Sequence, residues 1–123
     1  MQRVTADEAV QVLRAGDTLL VGGSGGGHAV PEELMAAVER RFLAEGQPRD
    51  ITAVHPVGLG DGVRLGAGHF AHEGLLKRIV CGTFVNSPEI SNMALADKIE
   101  GYTLPQGALS QLMREMAAGR AGL

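Results

Sequence analysis

Apolar positions along this chain recur in short runs that alternate between the helical and the extended period. Around Val10 and Leu13 they form one edge of a helix that should run to about Ala15. Its start is marked by Thr5-Ala6-Asp7-Glu8, where the threonine can cap the helix and the glutamate, three residues on, can reach back to the Thr5 amide. Gly16 stands where a left-handed residue would close that helix. Thr18-Leu19-Leu20-Val21 is then a continuous apolar run ended by glycines, the pattern of a strand buried on both faces. Pro31 opens a second helix, with Glu32 and Glu33 at its positive end and Leu34, Ala37, Val38 and Phe42 at helical spacing.

The alternation recurs three times more. Ile51 to His55 reads as a strand, followed by a glycine-rich stretch to Gly68 and a short helix around Phe70 to Lys77. Ile79 to Phe84 reads as a strand and Pro88 to Ala96 as a helix. Tyr102-Thr103-Leu104 is a short strand broken by Pro105-Gln106-Gly107, after which Leu109, Leu112, Met113 and Met116 form a helical stripe ending near Gly119. Strands alternating with helices predict an α/β fold, an open and mainly parallel sheet with flanking helices and right-handed crossovers. Ligands of such sheets bind beyond the carboxyl ends of the strands. Those ends carry Gly22 to Gly27, Pro56 to Gly62, Gly82-Thr83 and Pro105 to Gly107, so the glycines stand where a ligand would. The sequence stops at Leu123, straight after a helix, where an alternating fold would begin its next strand, so the sheet is expected to be incomplete.

Composition narrows the partners. Glycine supplies 18 of the 123 residues, ten of them within Gly22–Gly27 and Gly58–Gly68 and without a three-residue period, which excludes collagen. With 45% hydrophobic and 20% charged residues the chain can bury a core, which excludes a disordered segment. A net charge of −3 gives no positive field for a phosphate polymer, and Phe42, Phe70, Phe84 and Tyr102 are few platforms for stacking bases, so no nucleic-acid partner is expected. Cys81 stands alone, which suits a reducing compartment. No apolar run approaches a membrane span or a signal peptide, so the expectation is a cytoplasmic protein with no membrane partner.

Several constellations offer chemistry, each beside a plainer reading. The turn Gly22-Gly23-Ser24-Gly25-Gly26-Gly27 joins a strand to a helix start, where free amides and the helix dipole favour an anion; a tight structural turn would also need glycine. The strict dinucleotide fingerprint fails, because its third glycine falls on His28, and no P-loop motif occurs. His69 and His72, with Asp61 and Glu73 nearby, have a spacing that suits a metal, yet no third ligand stands out; no metal is expected, and the histidines read as hydrogen-bonding residues. Cys81, inside an apolar strand, reads as a buried small residue. Ser24 matches a bare Gly-x-Ser-x-Gly, but glycine fills every variable place. Glu73, Asp61 and Glu89 lie near loop ends, where capping or surface roles equally explain them. Gln106 follows a strand and a proline and precedes a glycine at a helix start, a donor set suited to a developing oxyanion; capping the final helix is the other reading.

Val21-Gly22-Gly23 with the glycine turn, Pro31-Glu32-Glu33-Leu34, Glu39-Arg40-Arg41-Phe42, Gly46 to Ile51, Gly58-Leu59-Gly60-Asp61-Gly62, Ala71 to Arg78 and Tyr102 to Gly107 resemble, in order, the start of the family I CoA-transferases. The similarity is to the single-chain branch that acts on short acyl-CoAs, such as acetate or propionate CoA-transferases, and it covers essentially the whole chain. It implies a Rossmann-type domain and transfer of CoA between a short-chain acyl-CoA and a carboxylic acid. In the family a glutamate attacks the thioester, forms a mixed anhydride, becomes a glutamyl-CoA thioester and passes CoA to the second acid.

That glutamate belongs to the second half of such enzymes, so the resemblance implies that residues 1–123 form the N-terminal part of the first domain without the nucleophile. Glu73 is not its counterpart. The match implies that Gln106 is the oxyanion-stabilising glutamine and that Gly22, Gly23, Ser24, Gly25, Gly26 and Gly107 lie at the acyl or CoA-binding cleft. Ser24 stands where many members have phenylalanine, which leaves the role of that ring unfilled. Coenzyme A is then a substrate and no cofactor is covalently bound; the expected partners are acyl-CoA, a carboxylic acid, the rest of the enzyme and further copies in a homo-oligomer. A non-catalytic CoA- or nucleotide-binding module, and a piece that folds by pairing its last strand with another chain, are the alternative readings.

Overall fold

A computed structural model describes residues 2–23 and 29–122. Four strands, β1 (Thr18–Leu20), β2 (Ile51–Val54), β3 (Leu76–Cys81) and β4 (Glu100–Thr103), form one sheet in the order β1-β2-β3-β4 with every pair parallel. Strands laid down in chain order with right-handed crossovers put their connecting segments on one face of the sheet. On that face Leu19, Ala53, Ile79 and Gly101 form one row in register. Against it pack Met35, Ala37 and Val38 of α2 (Glu32–Glu45), Phe70 of a 3₁₀ helix (Gly66–Phe70) and Ile90 of α3 (Pro88–Leu95). The last helix, α4 (Gln106–Ala117), contributes no residue to this core, although its Leu109 is fully buried. No helix among the described residues is long and apolar enough to cross a membrane.

The parallel α/β architecture matches the sequence expectation, while several boundaries move for local reasons. The capping box forms as read: Thr5 accepts from the Glu8 amide at 3.2 Å and Glu8 accepts from the Thr5 amide at 2.8 Å. The first helix, α1 (Ala6–Ala9), nevertheless passes into a 3₁₀ turn that ends at Val12 rather than near Ala15. Leu13 turns extended there, and the Arg41 guanidinium donates to the Val10 and Leu13 carbonyls at 2.8 and 2.9 Å.

β1 is not buried on both faces. It is an edge strand that half-buries only Leu19 toward the helices, and Leu20 stays 51% exposed on the other face, in register with Val54, Val80 and Tyr102. Leu34 is likewise half-exposed, and Met35 takes the inward place in α2. The helix expected around Phe70 to Lys77 is absent. Gly74 adopts a φ of +88°, which ends the local turn, and β3 starts at Leu76, three residues before the expected Ile79.

Candidate active site

The carboxyl ends of β2, β3 and β4 open onto one cleft of about 370 Å³. Pro56, Val57 and Gly58 line it after β2, Gly82 and Thr83 after β3, and Thr103 to Gln106 after β4. Three of the four strand ends expected at the ligand edge therefore meet in one place. The first strand end lies apart: Gly22 lines a separate apolar hollow of about 270 Å³ beside Leu19, Pro31 and Met35. A side chain at Gly23 would come within 2.9 Å of the Ala29 carbonyl oxygen, so packing alone accounts for glycine there. Ser24, Gly25 and Gly26 lie outside the described residues.

The cleft wall is held by backbone-to-backbone contact. A Cβ on Gly58 would fall 2.6 Å from Thr83 Cγ2, and one on Gly60 would fall 2.1 Å from the Asn86 carbonyl oxygen. The loops after β2 and β3 then lock together. Ser87 Oγ donates to the Leu59 carbonyl at 3.0 Å, Asn86 Nδ2 to the Gly60 carbonyl at 3.3 Å, and the Gly62 amide to the Asn86 carbonyl at 3.0 Å. Asp61 accepts the amides of Val63, Arg64 and Leu65 at 2.9 to 3.0 Å, and these bonds, the Val63 amide foremost, keep its carboxyl below the usual range. It therefore shapes a loop. Glu73 is ion-paired with Lys98. Glu89 Oε2 is buried without a hydrogen-bond partner among the described residues.

The chemical groups of the cleft are mostly backbone. Pro105 precedes α4, and the Leu109 amide, donating to the Pro105 carbonyl at 3.0 Å, is the first to take a partner inside the helix. The amides of Gln106, Gly107 and Ala108 are therefore free of intrahelical partners at the positive end of the dipole. A side chain on Gly107 would meet nothing within 4 Å, so no packing demand explains that glycine. Among the described residues, no carboxylate, histidine, lysine or arginine lines the cleft. Cys81 lies just beneath; burial pushes its thiol up to about 11, and Sγ donates to the Thr83 carbonyl at 3.3 Å, so it is no nucleophile at neutral pH. Such a cleft can hold and stabilise negative charge, and the described residues bring it no base or carboxylate nucleophile.

The sequence profile of the Coenzyme A transferase family matches residues 3–122. This chain belongs to that family. It is 38% identical over 120 residues to the acetate CoA-transferase YdiF of Escherichia coli O157:H7, an overlap of 98% of this chain and 23% of that protein. It is 30% identical, over the same shares, to a caffeate CoA-transferase of Acetobacterium woodii. A solved thioester complex of the O157:H7 acyl-CoA transferase YdiF with CoA superposes with a TM-score of 0.92 at 38% identity, covering 98% of this chain and 25% of that one. The apoenzyme superposes equally well. The chain thus spans about a quarter of the length of these CoA-transferases.

The histidines of this CoA-transferase chain do not gather around a metal: among the described residues, no group of three or more His, Cys, Asp or Glu is arranged to hold one. His69 and His72 instead form a seam between α2 and the 3₁₀ helix with the turn that follows it. Buried Glu39 receives His69 Nδ1 at 2.5 Å on one oxygen, and His72 Nε2 at 2.7 Å and Arg64 Nη2 at 2.9 Å on the other. Burial alone would raise the Glu39 pKa, but these three partners outweigh it and hold it at about 2. Glu32, Glu39 and Arg64 were missed as site residues by sequence reasoning. The available signal was Glu39 itself, four residues after Met35 and so a carboxylate within the apolar face of α2.

Proposed function

We propose that this chain is the N-terminal part of the first domain of a CoA-transferase, and that its cleft supplies the walls and oxyanion donors for moving CoA between a short-chain acyl-CoA and a carboxylic acid. One observation carries this reading: three strand ends meet at the start of α4, where Gln106 borders a cleft that no charged side chain among the described residues lines. When a glutamate carboxylate adds to the thioester carbonyl, the carbonyl oxygen becomes an oxyanion, and donors fixed in advance stabilise it without reorganising. Collapse breaks the carbon–sulfur bond and leaves a mixed anhydride. The CoA thiolate then attacks the glutamyl carbonyl and expels the first carboxylate. The second acid attacks the glutamyl thioester, and the returning thiolate takes its acyl group and frees the glutamate.

The glutamate comes from the remainder of the enzyme, a division of labour supported by a cleft that no carboxylate lines among the described residues. Coenzyme A serves as substrate, with no covalently bound cofactor, and the YdiF thioester complex with CoA supports that choice. The enzyme works in the cytoplasm as a homo-oligomer. Gly107, bare of packing neighbours, lets a ligand approach the first turn of α4.

The decisive test uses an enzyme comprising this chain and the remaining three quarters of its relatives' length. Gln106→Ala should lower kcat for CoA exchange by about 10²–10³-fold with stability unchanged. An unaltered rate would return Gln106 to being the first residue of a helix and nothing more.

A further inference from the structure

The seam joins two segments that flank the ligand edge. Glu32 is the first residue of α2, just after the glycine turn; its Oε2 accepts the Gly66 amide at 2.8 Å and its Oε1 lies 2.5 Å from His69 Nε2. The other ring nitrogen, Nδ1, lies 2.5 Å from Glu39 Oε2. A neutral imidazole has one N–H and donates to one carboxylate only; a carboxylate at each nitrogen calls for a proton on both. His69 and Glu39 are both buried, so neither charge is left to water.

We infer that His69 is held as an imidazolium between Glu32 and Glu39, and that this cation is a positioning residue tying the start of α2 to the loop from Gly58 to Gly66 that builds the cleft wall. The surroundings favour the extra proton. α2 contributes the carboxylates of Glu32 and Glu39, and the loop contributes Arg64 and the 3₁₀ region His72, both on Glu39. α3 contributes Glu89, whose Oε2 lies 3.7 Å from where a Cβ on Gly68 would sit. Two carboxylates, Glu32 and Glu39, thus hold the imidazole, with Arg64 and His72 on the second of them. Burial would lower the His69 pKa, but the hydrogen bonds and charges of Glu39 and Glu32 outweigh it and raise the net value.

Only the description of these segments as a ligand edge rests on the proposed function; the ionic clamp does not. It is tested by nitrogen-detected NMR of the histidine rings and backbone amides of the chain through a pH titration. The expected result is a His69 ring protonated at both nitrogens at pH 7, a midpoint above the ordinary ~6.5 of histidine, and Gly66 and Gly58 amides that shift with that same midpoint. His69→Gln should abolish the coupled shift. If that variant does not fold, Glu32→Gln, which removes one carboxylate, should lower the His69 midpoint. A singly protonated ring at neutral pH, or amides blind to the His69 titration, would overturn the inference. No readout uses CoA, so failure of the chain's enzyme to exchange CoA would sink the functional reading and leave the clamp to be judged by its own titration.

Discussion

The cleft and the seam are neighbours built on opposite principles. In the seam the polar groups are charged side chains that satisfy one another: both oxygens of Glu39 are occupied, and both ring nitrogens of His69 have a carboxylate. In the cleft the polar groups are backbone, the side chains of Thr83 and Thr103 and one carboxamide, with no charged side chain among the described residues that line it. A polar cluster complete in itself fixes a shape, whereas oriented donors left open are completed by a ligand. Substitutions in the seam should therefore cost stability, and substitutions in the cleft should cost chemistry.

Glu39→Gln breaks that contrast if any change can. It removes a buried charge shared by three cationic or hydrogen-bonding partners and leaves His69 facing Glu32 alone. Breaking a buried pair costs about 3–5 kcal/mol, and because Arg64 is 64% exposed the loss should fall at the low end, about 3 kcal/mol by urea unfolding. Gln106→Ala, its cleft counterpart, should move the same midpoint by less than about 0.5 kcal/mol, as an exposed surface change does. Equal losses at the two positions would dissolve the distinction.

A second buried histidine sharpens it through pH. His55 follows β2, its amide continues the ladder to the Val80 carbonyl at 2.9 Å, and its ring stacks on Phe70 at 6.2 Å. Neither ring nitrogen has a hydrogen-bond partner among the described residues. Burial pushes its pKa down to about 4. The unfolded chain takes up that proton below about 6.5 and the folded chain does not, so stability should fall by up to about 1.4 kcal/mol per pH unit between those values. Glu39, with a folded pKa of about 2, loses its own contribution as pH falls below the ordinary carboxylate range. His69, raised instead, stabilises below its unfolded pKa and loses that contribution as pH climbs through the folded value. Stability should thus crest near the ordinary histidine pKa, and His55→Leu should flatten the acid limb down to where Glu39 begins to titrate. A limb that survives this substitution would assign it elsewhere.

These two histidines also show where the sequence was legible. Element order, the capping box and the cluster of strand ends followed from local signals: Thr5 to Glu8, the apolar runs, and the glycines and prolines after β2, β3 and β4. The outward face of β1 was not legible, because a run of apolar residues does not say whether its strand is central or at an edge; Leu20 is apolar and half-exposed. Nor was the early start of β3, where one positive φ at Gly74 outweighed the helical spacing of Phe70 to Lys77. The seam joins residues 25 to 37 apart in sequence, a separation no short motif reports. The position of Gln106 at the start of α4 was legible because its signal is local, a proline before it and a glycine after it.

The smallest expected effect divides stability from function within a single residue. Gly107 occupies the first turn of α4, its φ lies outside the left-handed region, and a methyl group there would touch nothing within 4 Å. Glycine in a helix is less favourable than alanine by up to about 1 kcal/mol, so Gly107→Ala should stabilise the fold by about 0.5 kcal/mol, read as a rise in the urea midpoint. A fold has no reason to keep glycine at such a position unless something outside it must come close. In the longer enzyme the same substitution should raise KM or lower kcat for CoA exchange, because the methyl adds bulk at the first turn of α4, next to Gln106. A gain in stability with exchange untouched would mean that ligand does not approach α4 from this side, and the donor role would then fall to the Gln106 side chain alone.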